Sequence, residues 1–207
     1  MNNNISEETI EAERIAKKLS RAGVCSRREA ERWISEGRVQ VNNITIDTPA
    51  IKVSEKDEIL VDNIPIPKPS ITKIWRFHKP KGCLVTEHDP KGRQTIFDIL
   101  PKSLPRVMAI GRLDYDSEGL LLLTNNGETS RKLELPSTGW LRKYKVRVHG
   151  FVNPQDLEKL KNGIKLKDFK TSSIDANLEI QKGANAWVLV GIREGKNREV
   201  RRVMDFL

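Results

Sequence analysis

Gly111-Arg-Leu-Asp-Tyr-Asp-Ser-Glu-Gly-Leu-Leu-Leu-Leu-Thr-Asn-Asn-Gly127 is the stretch on which the reading of this 207-residue chain turns. A short apolar run, Val107 to Ile110, leads into it, and its own Leu120 to Leu123 leads out. Two strand-like runs around a charged turn place the turn's side chains at the rim of a sheet, where binding and catalytic groups concentrate. The plainest reading is a solvated hairpin turn. Two chemical readings compete with it. Asp114, Asp116, Glu118, Gly119 and Leu121 follow the ligand order of a calcium-binding loop. The closing position, however, is Asn125, which lacks the bidentate carboxylate, and the flanks read as strands rather than helices. A phosphatase-type Asp-x-Asp needs an apolar strand directly before its first Asp, and here Gly111-Arg112-Leu113 intervenes.

The stretch resembles the catalytic motif of the bacterial ribosomal RNA pseudouridine synthases that carry an S4 domain. In that family the Asp of Gly-Arg-Leu-Asp is the essential catalytic residue, so the resemblance implies that role for Asp114. It also implies that Arg112 enters the RNA helix and holds the target base out, since an enzyme acting on a base must take it from the stack. Asp116 and Glu118 are expected to serve structure, bonding turn amides or nearby arginines.

Upstream, Ile5 to Arg21 reads as a helix with Ile15, Ala16 and Leu19 on one face and Arg14, Lys17, Lys18 and Arg21 on a basic one. Ser26-Arg-Arg-Glu29 is a capping box that starts a second helix, and Gly37 stops it. Short strands follow at Val39–Val41, Ile44–Ile46, Ile51–Val53 and Ile59–Val61, the first two joined by an Asn42-Asn43 turn. Two short helices before a small sheet, together with the wording of Arg14 to Asn42, resemble the S4 RNA-binding domain. Arg14, Lys18, Arg27, Arg28 and Arg38 are then the expected phosphate contacts, because Lys and Arg supply most sequence-independent RNA affinity.

Pro65, Pro67 and Pro69 alternate between Asp62 and Lys73, which favours an extended, semi-rigid tether. The expected organisation is an N-terminal extension (1–13), an S4 domain (14–62), a linker (63–73) and a catalytic domain (74–207). The fold class is α+β, the second domain being built on a mostly antiparallel sheet. Lys79-Pro-Lys-Gly82 and the segment Asp89 to Pro101 resemble the same synthase family. His78 and His88 read as loop histidines without a fixed role. Arg142 to His149 alternates apolar and basic residues, a strand with one wet, positive face, and Tyr144 matches the family's active-site tyrosine, expected to stack on the flipped uracil. Asn153-Pro154 caps a helix. Two strands follow, Ala176–Ile180 and Ala186–Arg193, the second apolar enough to be central. Glu194 to Met204 resembles the family's last signature: Arg201 matches the arginine that pairs with the catalytic Asp, and Val200 the apolar residue beside it. Burial raises a carboxyl's pKa and a paired arginine lowers it again, which gives Arg201 a physical task.

Composition agrees with an RNA partner. Net charge is +9, and residues 14–38 hold eight basic against three acidic side chains. A basic chain with a basic stripe points to a polyanion. Two separate cysteines, Cys25 and Cys83, fit a reducing cytoplasm. No apolar run is long enough to span a membrane, and the N-terminus lacks the pattern of a secretory signal. The resemblance implies isomerisation of uridine to pseudouridine in ribosomal RNA or an assembling ribosomal subunit, by a monomer, with no cofactor and no metal. Ser-Glu-Gly and Asn-Asn-Gly within the motif favour the large-subunit branch. The rival from another class is an S4-type RNA-binding or assembly protein whose synthase domain is inactive. In the family the chain continues past the last helix into a further strand, whereas here it stops at Met204-Asp-Phe-Leu207. The expectation is therefore a catalytic domain lacking a C-terminal piece, with weakened stability and turnover.

Overall fold

The computed structural model describes residues 12–207, which fall into two units, one ending at Ser130 and one running from Arg131 to Leu207. The first unit begins with β1 (Glu13–Arg14), α1 (Ile15–Arg21) and α2 (Arg27–Ser35). The helix expected from Ile5 starts instead at Ile15, and residues 5–11 lie outside the described part. Glu13 and Arg14 are strand because they pair with Val53 and Lys52, a long-range contact that overrides local helical periodicity. At α2 half of the expected capping box forms: the Ser26 hydroxyl accepts the Glu29 amide at 3.1 Å, a cap worth about 1 kcal/mol, while the Glu29 carboxylate accepts from Arg32 at 3.4 Å.

Strands β2 (Val39–Val41), β3 (Ile44–Thr45), β4 (Lys52–Val53), β5 (Ile59–Val61) and β6 (Ile64–Pro65) follow. All but β4, the partner of β1, form one antiparallel sheet in the order β3-β2-β5-β6. Asn42-Asn43 and Asp62-Asn63 make the two hairpins with the same backbone, φ 51° then 66° in each. Two consecutive positive φ values are what a tight right-twisted hairpin demands, and Asn and Asp tolerate them. Ile15, Leu19, Ala30, Ile34, Val39, Val53 and Ile59 close the core beneath.

The second hairpin corrects the expected linker. The chain does not leave the sheet at Asp62: Pro65 pairs with Leu60, and the Ile66 amide donates to Ile59 O at 3.1 Å. Proline is tolerated there because β6 is an edge strand. The far end of the segment is fastened too. Asn125 Oδ1 accepts the Lys73 amide at 2.8 Å, and its Nδ2 donates to Ser70 Oγ and Ile71 O, both at 2.9 Å. Buried Thr124 donates to Lys73 O at 2.8 Å. Only Pro67 to Pro69 lies between the two fastened ends.

Beyond it come β7 (Ile74–Lys79), α3 (Ile96–Ile99), β8 (Met108–Ile110), β9 (Gly119–Thr124) and α4 (Gly127–Glu134). β9 is central in an antiparallel sheet ordered β7-β9-β8. Leu121 and Leu123 of β9 pack on Ile96 and Val107, with Trp75 and Phe77 of β7 on the same side. Thr95 and Asp98 cap α3 reciprocally, and Asn126 caps α4 by accepting the Glu128 and Thr129 amides at 2.9 and 3.1 Å. Lys17 of α1 is 2.6 Å from Glu128.

The second unit holds β10 (Arg142–His149), α5 (Pro154–Lys159), β11 (Asp175–Lys182), β12 (Asn185–Ile192) and α6 (Glu199–Phe206). β12 is the central strand, antiparallel to both neighbours. The sequence's alternation in β10 is realised, with Lys143, Lys145, Arg147 and His149 exposed and Tyr144, Val146 and Val148 turned to the core. Val188 and Val190 meet Leu157 and Leu160 from the α5 segment and Val203 of α6.

Candidate functional site

β8 and β9 pair Met108 with Thr124, Ala109 with Leu123 and Ile110 with Leu122, so residues 111–118 are the loop of a hairpin. Strands flank it on both sides, which removes the helix–loop–helix reading. Among the described residues no three His, Cys, Asp or Glu side chains gather as a metal-binding group. Gly111 and Gly119 stand at the two corners with φ 77° and 122°, values that favour glycine. Between them Leu113 packs on the core, Arg112 is exposed and Asp114 half-buried. A turn closes at once after Asp114, whose carbonyl accepts the Ser117 amide at 3.0 Å. Glu118 meets Lys81 at 3.5 Å, both side chains well exposed.

The loop has a second anchor that the motif did not announce. Lys79, the last residue of β7, is fully buried. Its ammonium donates to the main-chain oxygens of Ser117 (2.8 Å), Pro80 (3.0 Å), Asp114 (3.0 Å) and Tyr115 (3.4 Å). A buried ammonium persists only when its donors are used, and here the loop's carbonyls take them. The Gly82 amide adds a bond to Tyr115 O at 2.9 Å. The alternation of β7 carried the signal: Trp75 and Phe77 point inward, so Lys79 must as well. His78, expected on a loop, is an exposed strand residue of the opposite face.

In the second unit, Tyr144 pairs with Val190 across the sheet. Tyr144 and Val200 both pack on the same apolar cluster, so two of the expected site residues are brought to one core. α6 starts at Glu199, directly after Arg198, which sits in the left-handed region at φ 49°. The two successive arginines of α6 differ in environment. Arg202 is ion-paired with Asp168 and lies 4.5 Å over the Phe169 ring. Arg201, half-buried, precedes it.

The five basic residues expected at phosphates divide. Arg14, Arg27 and Arg28 are exposed, the last two in the first turn of α2. Lys18 is a correction: it is 6 % exposed, and its ammonium lies 2.6 Å from Glu55, so it joins α1 to the β4–β5 turn and is withdrawn from solvent. Arg38 forks onto Asp62 at 2.9 and 2.5 Å and stacks over Trp33 at 4.8 Å. Both cysteines are unbridged and buried, in different clusters. Burial pushes the Cys25 thiol up to about 11, so it stays protonated. Among the described residues no helix is long and apolar enough to cross a membrane.

Known proteins resemble both parts of the chain. The sequence profile described as RNA pseudouridylate synthase matches residues 73–206, and the S4 domain profile matches residues 13–59. A Rickettsia felis protein named "Uncharacterized RNA pseudouridine synthase" is 43% identical over 203 residues, spanning 94% of this chain and 84% of its own. Ribosomal large subunit pseudouridine synthase B of Pasteurella multocida is 39% identical over 202 residues, spanning 95% of this chain and 59% of its own. A crystal structure of a pseudouridylate synthase shares the fold with a TM-score of 0.59 at 25% identity, over 93% of this chain and 82% of that one. With an S4 domain ahead of the Gly-Arg-Leu-Asp hairpin and a synthase profile spanning the rest, the chain belongs to the RNA pseudouridylate synthase family.

Proposed function

We propose that this chain converts uridine to pseudouridine in ribosomal RNA of the large subunit, acting as a cytoplasmic monomer on the RNA or on an assembling subunit. The observation that carries the reading is the hairpin loop of residues 111–118. Its carbonyls are clamped by a buried lysine, its corners are glycines, and it presents Arg112 and Asp114 at the end of a sheet. The relatives named as large-subunit synthases support the substrate class.

The reaction breaks the uridine N–C glycosidic bond, turns the base and rejoins it through carbon. Atoms balance without a consumed co-reactant. Asp114 acts at the sugar as nucleophile or base, and Arg201 is the cation that the family's last signature assigns to that carboxylate. Arg112 enters the RNA helix in place of the extruded base, and Tyr144 stacks on the uracil. The S4 domain holds the RNA through Arg14, Arg27, Arg28 and Arg38, and Val200 supplies apolar contact.

The test is a map of pseudouridines in both ribosomal RNAs from cells with and without the gene. At least one large-subunit pseudouridine should disappear and return with the wild-type gene but not with Asp114→Asn. An unchanged map, or full restoration by Asp114→Asn, overturns the reading in favour of a non-catalytic RNA-binding role.

A further inference from the structure

Glu199 opens α6 and is 2 % exposed, a rare place for a carboxyl. Its Oε2 accepts the Lys196 amide at 2.9 Å. Its Oε1 is buried with no donor among the described residues. A second acid is its neighbour across Lys196, whose amide reaches Glu199 while its ammonium reaches Glu194. Glu194 is otherwise occupied, since Oε1 accepts the Ser172 amide and Oε2 the Lys196 ammonium, each at 2.5 Å. That ammonium also donates to Lys170 O at 2.9 Å and lies 5.3 Å over the Phe169 ring. Arg202, over the same Phe169 ring, is paired with Asp168, and Arg198 and Arg201 lie on either side of Glu199 along the chain.

Ionised carboxylates accept hydrogen bonds and cannot donate them. The Glu199 oxygen that is buried without a donor therefore favours the protonated form. Burial first, and the neighbouring Glu194 second, raise Glu199 to about 7. Burial opposes ionisation of Glu194 as well, yet the Lys196 ammonium and the Ser172 amide outweigh it and hold that carboxyl well below the usual range. The proton therefore resides on Glu199, and the pair keeps it up to neutrality.

What the pair secures is the corner where α6 begins. Arg198 is left-handed there, a conformation uncommon outside glycine. The Glu199 amide donates to Lys196 O at 3.1 Å while its carboxyl accepts the Lys196 amide, so one residue ties the corner through both main chain and side chain. Val200 and Arg201 are the next two residues.

We infer that Glu199 is a positioning residue for the isomerisation: as a neutral carboxyl tied to Lys196, it fixes the corner from which α6 presents Val200 and Arg201. Loss of its proton sets two negative charges together without a donor, and the corner loosens. The inference rests on the assignment of Arg201 made above.

Two measurements on the full chain test it, each with wild type, Glu199→Gln and Glu199→Ala. The first is the single-turnover rate at saturating RNA from about pH 6 to about pH 9; the second is hydrogen-exchange protection of the α6 amides over the same range without RNA. Wild type should slow and lose α6 protection as pH rises through about 7. Glu199→Gln, a permanent neutral donor, should lose both pH dependences and stay within about threefold of the wild-type rate at the acid end. Glu199→Ala should be slower by about tenfold or more throughout, with RNA affinity unchanged. If Glu199→Gln keeps the wild-type pH dependence of α6 protection, the inference is overturned. If protection behaves as stated while Arg201→Ala turns over normally, the Glu199 corner stands and the Arg201 assignment fails instead.

Discussion

The buried ammonium of Lys79 donates to the main-chain oxygen of Asp114 at 3.0 Å. The residue proposed to carry the chemistry is thus held through its backbone by the last residue of a neighbouring strand. A lysine suits this place because three rotatable donors on a compact head can reach carbonyls that diverge from a tight loop. A planar guanidinium cannot.

Replacing Lys79 with Met should keep the apolar stem and remove the donors. Carbonyls of Pro80 and Ser117 then lose their buried partner, at about 1–3 kcal/mol each, partly offset because an ammonium no longer has to be desolvated. Urea unfolding should show a net loss within that range. Single-turnover isomerisation should fall by about tenfold or more, since small misplacements of a reacting group are costly, while RNA affinity holds. An unchanged rate would show that the glycine corners and Leu113 orient Asp114 on their own.

Arg27 and Arg28 should separate cleanly from Lys18. Changing both arginines to Gln should flatten the salt dependence of RNA binding, log K against log salt losing about 0.7 for each single-strand phosphate contact removed. Lys18→Gln should leave that slope alone and lower stability by about 1 kcal/mol or less, because its partner Glu55 is largely solvated. Binding titrations at several salt concentrations, beside thermal melts, decide both. A reduced slope in Lys18→Gln would return that residue to the phosphate set.

Gly163 has φ +68°, and a Cβ there would lie 2.4 Å from the main-chain oxygen of Thr171. The neighbouring hairpin is closed by Ile164 and Thr171, which exchange hydrogen bonds at 2.9 Å. Because the clash is with backbone, no side-chain rotation relieves it. Gly163→Ala should destabilise by about 2 kcal/mol or more, read as a fall in the urea midpoint at constant slope. A midpoint within error of wild type would mean that the hairpin can shift bodily.

Much of this was legible locally. The apolar runs around Gly111–Glu118, the Ser26 and Asn153 caps and the alternation of β10 are short-range patterns, and each forms as read. What was missed depends on distant partners. Glu13 and Arg14 look helical until β4 is beside them. Asp62-Asn63 has the same turn chemistry as Asn42-Asn43, but the prolines after it pointed to a tether. The motif named Asp114, and nothing in it named Lys79, whose role comes from the inward parity of a strand over thirty residues earlier. Lys18 looked like one more cation on a basic face, and only the fold brings Glu55 to it.

The RNA-binding domain is joined to the hairpin through the segment that Asn125 fastens. Asn125 follows β9 directly and holds the incoming chain at three points, Ser70, Ile71 and Lys73. The strand carrying the loop at one end therefore fastens the linker at the other. Asn125→Ala removes all three bonds, from partners that are mostly exposed, so water replaces them and the stability loss should stay near 1 kcal/mol. The larger effect should be kinetic. A linker held at both ends keeps RNA bound at the S4 domain at high effective concentration near the catalytic loop, and a slack one dilutes it. KM for a long RNA should rise several-fold with kcat nearly unchanged, and a short RNA spanning only the target loop should show no difference. Limited proteolysis should meanwhile cut faster within residues 66–73. Equal KM for the long RNA in mutant and wild type would mean that the β6 pairing and the Lys17–Glu128 contact fix the domain without help from Asn125.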